Sequence, residues 1–177
     1  PGPPGAPPLF FLRPLQVGIG DRQIGMELGG YWPSDRTDIE NLFPEMMNVV
    51  RKADDIGLDA MVVGEHHFMD YGMTPSPLAL VAHIASMVKI PRLVAAILML
   101  PLHDAPVLAG TVAQVDNLTG GRLEIGPGRG GAPYEFARCC LRGALAAPRE
   151  TVEYNSAVLP ALFTRQSDSE SAPLEHT

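Results

Sequence analysis

Residues 57–68 read GLDAMVVGEHHF, and the reading of this stretch decides the rest of the chain. Positions 58–64 form a short apolar run of β-branched and small residues, the pattern of a strand buried on both faces. A polar loop follows, Gly64-Glu65-His66-His67-Phe68. Pro75 and Pro77 punctuate its far end, and apolar residues then recur at helical spacing over 78–88. Strand, loop and helix make one unit, and the unit recurs on either side. Upstream, 24–31 reads as a strand and 39–56 as a helix, with Leu42, Met46, Val49, Val50 and Ala53 on one face and Gly57 as its stop. Downstream, 92–100 is a third strand, 105–118 a third helix ended by Gly120 and Gly121, and 122–126 a fourth strand. Beyond a less regular link at 133–148, a last helix is expected over 149–163.

Four such units with near-continuous apolar strands predict a parallel sheet covered by helices, an α/β fold of TIM-barrel-type (β/α) units. A closed eightfold barrel needs ~200 residues or more, and the chain has 177. Half a barrel is therefore expected, from a fragment, from a sequence with segments omitted, or as an open half-barrel or small doubly wound sheet. The domain is expected over 24–165. Residues 1–23, which begin PGPPGAPP, read as a mobile arm, and 166–177 as a polar tail.

Composition narrows the function classes. Apolar residues make up 46% and charged residues 19%, enough for a core and too little charge for a disordered chain. A net charge of −7 without a basic run argues against a nucleic-acid partner. The longest apolar stretch, 93–102, contains Pro101 and falls well short of the ~20 residues of a membrane span, so no membrane partner is expected. No signal-peptide pattern opens the sequence. Cys139 and Cys140 are neighbours, and a disulfide between them would staple nothing. Reduced thiols and a cytoplasmic location are the expectation.

In a parallel α/β fold the ligand meets the carboxyl ends of the strands, which makes Glu65-His66-His67 the first candidate site. Successive side chains of an extended segment point opposite ways, so one histidine is expected to face a pocket and the other to bond behind it. The triplet reads equally as a functional group or as a structural hydrogen-bonding cluster. Histidine and carboxylate are also zinc ligands, but neighbours on a strand diverge and only His103 and Asp104 add donors nearby, so no metal site is expected. The second candidate is Gly126-Pro127-Gly128-Arg129-Gly130-Gly131. It formally satisfies the dinucleotide glycine fingerprint, yet it follows a fourth strand and Pro127 removes an amide donor. Arg129 carries the information there, since glycines admit a flat or anionic ligand while a guanidinium pairs with phosphate or carboxylate. Met46, Met47, Met61 and Met99 are expected in the core, Phe68 to pack, and His83 at a helix–helix interface.

These motifs, 57–68 with LPLHDAPVLAGTVAQVDNLTGGRLEIGPGRG at 100–130, Glu135, and RETVEYNSAVLPALFT at 149–164, resemble in order and interval the N-terminal half of the bacterial luciferase-like flavin monooxygenases. The resemblance covers about residues 24–164. It implies a barrel fold that binds reduced FMN, or a deazaflavin, at its C-terminal mouth and often dimerises through its second and third helices. By the same resemblance His66 matches the catalytic histidine near the reactive edge of the isoalloxazine, and Glu65 the neighbouring acid. Ala96 and Ile97 match a pair lying against the ring, where the family often carries a cis non-proline peptide. Gly128 stands where the luciferases have a cysteine, so a thiol role is absent. Arg129 retains the flavin-contacting arginine, and Arg149 aligns with a second basic residue that reaches the flavin phosphate. The implied reaction uses reduced flavin from a separate NAD(P)H-dependent reductase, and O2, to oxidise a small organic substrate, with His66 as general acid/base. A deazaflavin-dependent oxidoreductase and a non-catalytic half-barrel that binds flavin or dimerises are the alternatives. The later half of the family's barrel has no counterpart, and exposed sheet edges favour association, so the chain, if complete, is expected either to form a homodimer that covers those edges or to bind flavin poorly.

Overall fold

The structure is a computed structural model that describes residues 24–29, 39–69 and 72–139. Its elements alternate as the pattern predicts: β1 (Gly25–Leu28), α1 (Leu42–Asp55), β2 (Ala60–Val63), α2 (Pro77–Ala85), β3 (Arg92–Met99), α3 (Ala105–Thr119), β4 (Leu123–Gly128) and α4 (Pro133–Arg138). Single turns of 3-10 helix precede α1 and follow β3. The strands are all parallel and lie in chain order, β1-β2-β3-β4. Right-handed crossovers in one direction bring successive helices to the same face. A doubly wound sheet would need a reversal of strand order, which is absent among the described residues, so the arrangement is that of consecutive barrel units.

Local chemistry sets the element ends. Pro77 opens α2 in its first turn, where no amide donor is missed. Asp104 caps α3 by accepting from the Val107 amide at 3.2 Å. Gly120 closes α3 at φ +67°, a left-handed conformation that glycine adopts without steric cost. Arg122 then fastens the corner: its guanidinium donates to the Thr119 carbonyl at 2.9 Å and to the Ala85 carbonyl at 3.0 Å, tying the ends of α3 and α2 to the start of β4. Asp54 does the same between α1 and the turn before β3, accepting from the Ile90 amide at 2.9 Å.

The core lies between the sheet and its helices. Met61, Val63, Leu93, Ala95 and Leu123 project from the strands into Val50, Val81, Ile84 and Val112 of α1 to α3. Each of these side chains larger than alanine contributes roughly 1.5–3 kcal/mol on burial. The methionines expected there are buried, with Met61 at 0% exposure and Met99 at 2%. Strand alternation turns Glu27, Val62 and Ala96 to the opposite face, where they line a cleft. No helix among the described residues is long and apolar enough to cross a membrane.

Three expectations are corrected. Residues 133–138, read as part of an irregular link, form α4. Phe68 does not pack: it is 57% exposed at φ +60°, and its ring lies 5.9 Å from the Arg138 guanidinium carbon. His83 is exposed on α2 and does not sit at a helix–helix interface. The arm, the tail, the residues 149–163 and Arg149 lie outside the described residues.

Candidate functional site

The site forms at the carboxyl ends of β2 and β3, just beyond the Val63–Ala95 pair. The β3–β4 register shifts between Ala96 and Leu98, and the Ala96–Ile97 peptide is cis. Leu98 stays in the core, whereas Ile97, turned outward, and Met99, itself buried, line the cleft. The backbone of β4 presses close behind this corner. A Cβ on Gly126 would lie 2.6 Å from the Ala96 Cβ, and one on Gly128 would collide with the Ile97 side chain. These glycines therefore serve close strand packing.

Glu65 holds the corner together and is 3% exposed. Its amide donates to the Ile97 carbonyl at 3.3 Å. One carboxylate oxygen accepts from the Met99 amide at 2.7 Å. The other accepts from Nε2 of His67 and from Nε2 of His103, each at 2.9 Å. Burial alone pushes this carboxyl up, but the hydrogen bonds from His103, His67 and the Met99 amide outweigh it and hold the group below its ordinary value of 4.5. Since an ionised carboxylate only accepts, both imidazoles present an N–H at Nε2.

His66 lies on the other side of the loop and lines the cleft. Thr74 braces the segment: its hydroxyl donates to the Gly64 carbonyl at 2.5 Å, and its carbonyl faces the His66 amide at 3.4 Å. Gly72, at φ +58°, passes so near the imidazole that a Cβ would come within 2.5 Å of its Cδ2. From α4, Glu135 enters at 1% exposure. Its Oε1 accepts from the His67 amide at 2.7 Å and lies 3.7 Å from Nδ1 of His66.

The cleft has a volume of about 560 Å³. It brings Glu65, His66, Ala96 and Ile97 together. Gly128 sits behind, against Ile97. Arg129 is exposed and is not part of the lining, though Gly130 and Gly131 beside it are. Sequence reasoning gave His103 only a possible metal-donor part and gave Glu135 no role in the site. The pairing of His103 with Glu65 spans 38 positions, which no local pattern reveals. For Glu135 a weak indication existed, an acid in the first turn after a proline that follows the glycine-rich loop.

Comparisons with known proteins bear on the family and the fold. A family model described as luciferase-like monooxygenase matches residues 26–174. The oxygenase component of the flavin-dependent trigonelline monooxygenase of Acinetobacter baylyi is 34% identical over 105 residues, which is 59% of this chain and 29% of that protein. The 4-hydroxyprotoasukamycin monooxygenase of Streptomyces nodosus subsp. asukaensis is 36% identical over 83 residues, covering 47% of this chain and 22% of its own length. Among solved structures, the oxygenating constituent of 3,6-diketocamphane monooxygenase from Pseudomonas putida, in complex with FMN, superposes with a TM-score of 0.72 at 21% identity, over 79% of this chain and 39% of that one. A monooxygenase from Streptomyces bottropensis gives 0.76 at 23% identity, over 87% and 46%. The chain thus spans less than a third of those two curated relatives and less than half of those structural neighbours. By the family model, which matches most of its length, the chain belongs to the luciferase-like monooxygenases.

Proposed function

We propose that this chain carries the flavin-facing corner of a monooxygenase that uses reduced FMN and O2 to oxidise a small organic substrate. The observation that carries the reading is the shared cleft: His66 stands at one wall and the Ala96–Ile97 corner forms another, with open space beside Gly131 for a flat group. The fit is good for the ring and specific about the phosphate. None of the described cleft-lining residues is Lys or Arg, so the anionic end of the cofactor would extend to the rim, where Arg129 is exposed. Reduced flavin would supply the electrons that activate O2. The protein's part is to seat the ring on Ile97, to keep water off with the apolar wall of Val62, Ala96 and Met99, and to move a proton at His66. A separate NAD(P)H-dependent reductase would deliver the reduced cofactor, as the component structure of the trigonelline relative suggests.

Turnover coupled to such a reductase tests the reading. His66→Ala should lower oxygenation by roughly 10²–10⁴-fold, the usual weight of a general acid/base, while FMN affinity stays near that of the parent. Failure of the parent to bind reduced FMN, together with identical rates for parent and variant, would overturn it.

We also assign a self-association surface to α2 and α3. Val107 and Leu118 are 69% and 62% exposed beside an apolar groove of about 400 Å³ between these helices. Sedimentation should show a dimer that Val107→Lys converts to monomer; a monomeric parent removes this assignment.

A further inference from the structure

We propose that Glu135 is a positioning residue for His66, holding the proton of the neutral imidazole on Nδ1 so that Nε2 is left as the basic nitrogen. The inference rests on the reading of His66 as the proton-transfer group and specifies which atom does the work.

Four observations carry it. Glu135 is 1% exposed, and a carboxylate so far out of water is expensive unless hydrogen-bond donors or a cation meet it. Its Oε1 already accepts from the His67 amide at 2.7 Å, which fixes the carboxylate against the backbone one residue beyond His66. The same oxygen lies 3.7 Å from Nδ1 of His66, within reach of a proton on that nitrogen after a small rotation of the ring. On its Cδ2 edge the ring lies so close to Gly72 that a Cβ there would come within 2.5 Å of it.

The consequence follows from imidazole chemistry. A neutral ring carries one proton, and the partner of one nitrogen decides the role of the other. A carboxylate at Nδ1 favours the N–H there, orients the ring, and stabilises the imidazolium that forms when Nε2 takes a proton. The two histidines of the motif are then complementary. His67 shows Nε2–H to Glu65, whereas His66 shows Nδ1–H to Glu135. The second carboxylate comes from α4, so the short helix after the glycine-rich loop belongs to the machinery of the second strand's loop.

The test is ¹⁵N spectroscopy of the histidine side chains in the full chain near pH 8.5, well above the ordinary imidazole value of ~6.5, with His66 assigned by its disappearance in His66→Gln. The parent should show His66 as the Nδ1–H tautomer. Glu135→Leu should shift it toward Nε2–H, whereas Glu135→Gln, whose carbonyl can still accept from both the His67 amide and the ring, should keep Nδ1–H and the parent's His67 amide resonance. A parent in the Nε2–H form, or a tautomer unchanged in Glu135→Leu, overturns the proposal. If Glu135→Leu does not fold, the parent's tautomer decides alone. None of these readouts needs flavin, so a chain that binds no FMN would sink the oxygenase reading and leave this result standing.

Discussion

The two faces of the same four strands differ in almost every respect. Toward the helices the strands present Met61, Val63, Leu93, Ala95 and Leu123, all in the apolar core and each no more than 3% exposed. Toward the cleft they and their loops present Glu27, Val62, Glu65, Ala96 and Ile97. One face is held by non-directional burial, which tolerates no water. The other is held by directed bonds that carboxylates accept from amides and imidazoles, and it stays open. Period-two alternation separates the two within single strands, so stability and chemistry reside on neighbouring residues without interfering.

The largest effect expected from breaking this division lies on the core side. Leu93→Ala should cost about 2–5 kcal/mol by denaturant unfolding, and a loss well under 1 kcal/mol would show that the helix-facing side is not the core. Next comes the polar side. Glu65→Leu leaves the Met99 amide and two imidazoles without their acceptor and should cost roughly 1–3 kcal/mol. Its pH dependence has a definite sign. The folded carboxyl is held below the ordinary value of 4.5, so its contribution is present above that value and is lost as pH falls through the lowered one. Unfolding followed from pH 7 down to 3 should show an acid-side loss in the parent that is shallower in Glu65→Gln; matching acid limbs would place the stabilising charge elsewhere. Gly126→Ala drives a methyl into the Ala96 side chain and should cost ~1–3 kcal/mol, with weaker FMN binding beside it. Smallest of all, Arg129→Ala at an exposed position should leave stability within about 0.5 kcal/mol while weakening FMN binding, which equilibrium dialysis reads directly.

The apolar side was legible in the sequence because it repeats. The runs at 58–64 and 92–100 and the helical spacing of Met46, Val50 and Ala53 announced strands and helix faces, and Gly57 and Gly120 marked their stops. The cleft was legible only in part. The motif around His66 could be placed at a strand's carboxyl end, and Ala96 and Ile97 were identified through resemblance. His103 reaches Glu65 only because the turn after β3 folds back over β2, and Glu135 reaches the histidines only because α4 docks there. α4 itself has six residues, too few for a periodic pattern to stand out from the link around it. Phe68 was misread because hydrophobicity predicts burial, whereas the loop takes it through a left-handed conformation to the surface.

Backbone amide resonances recorded while reduced FMN is added under anaerobic conditions test the central assignment most directly. The account predicts saturable shifts concentrated at Gly64–His67, at Ala96–Met99 and around Gly130. Shifts confined to the groove between α2 and α3, or none at saturating FMN, would contradict it.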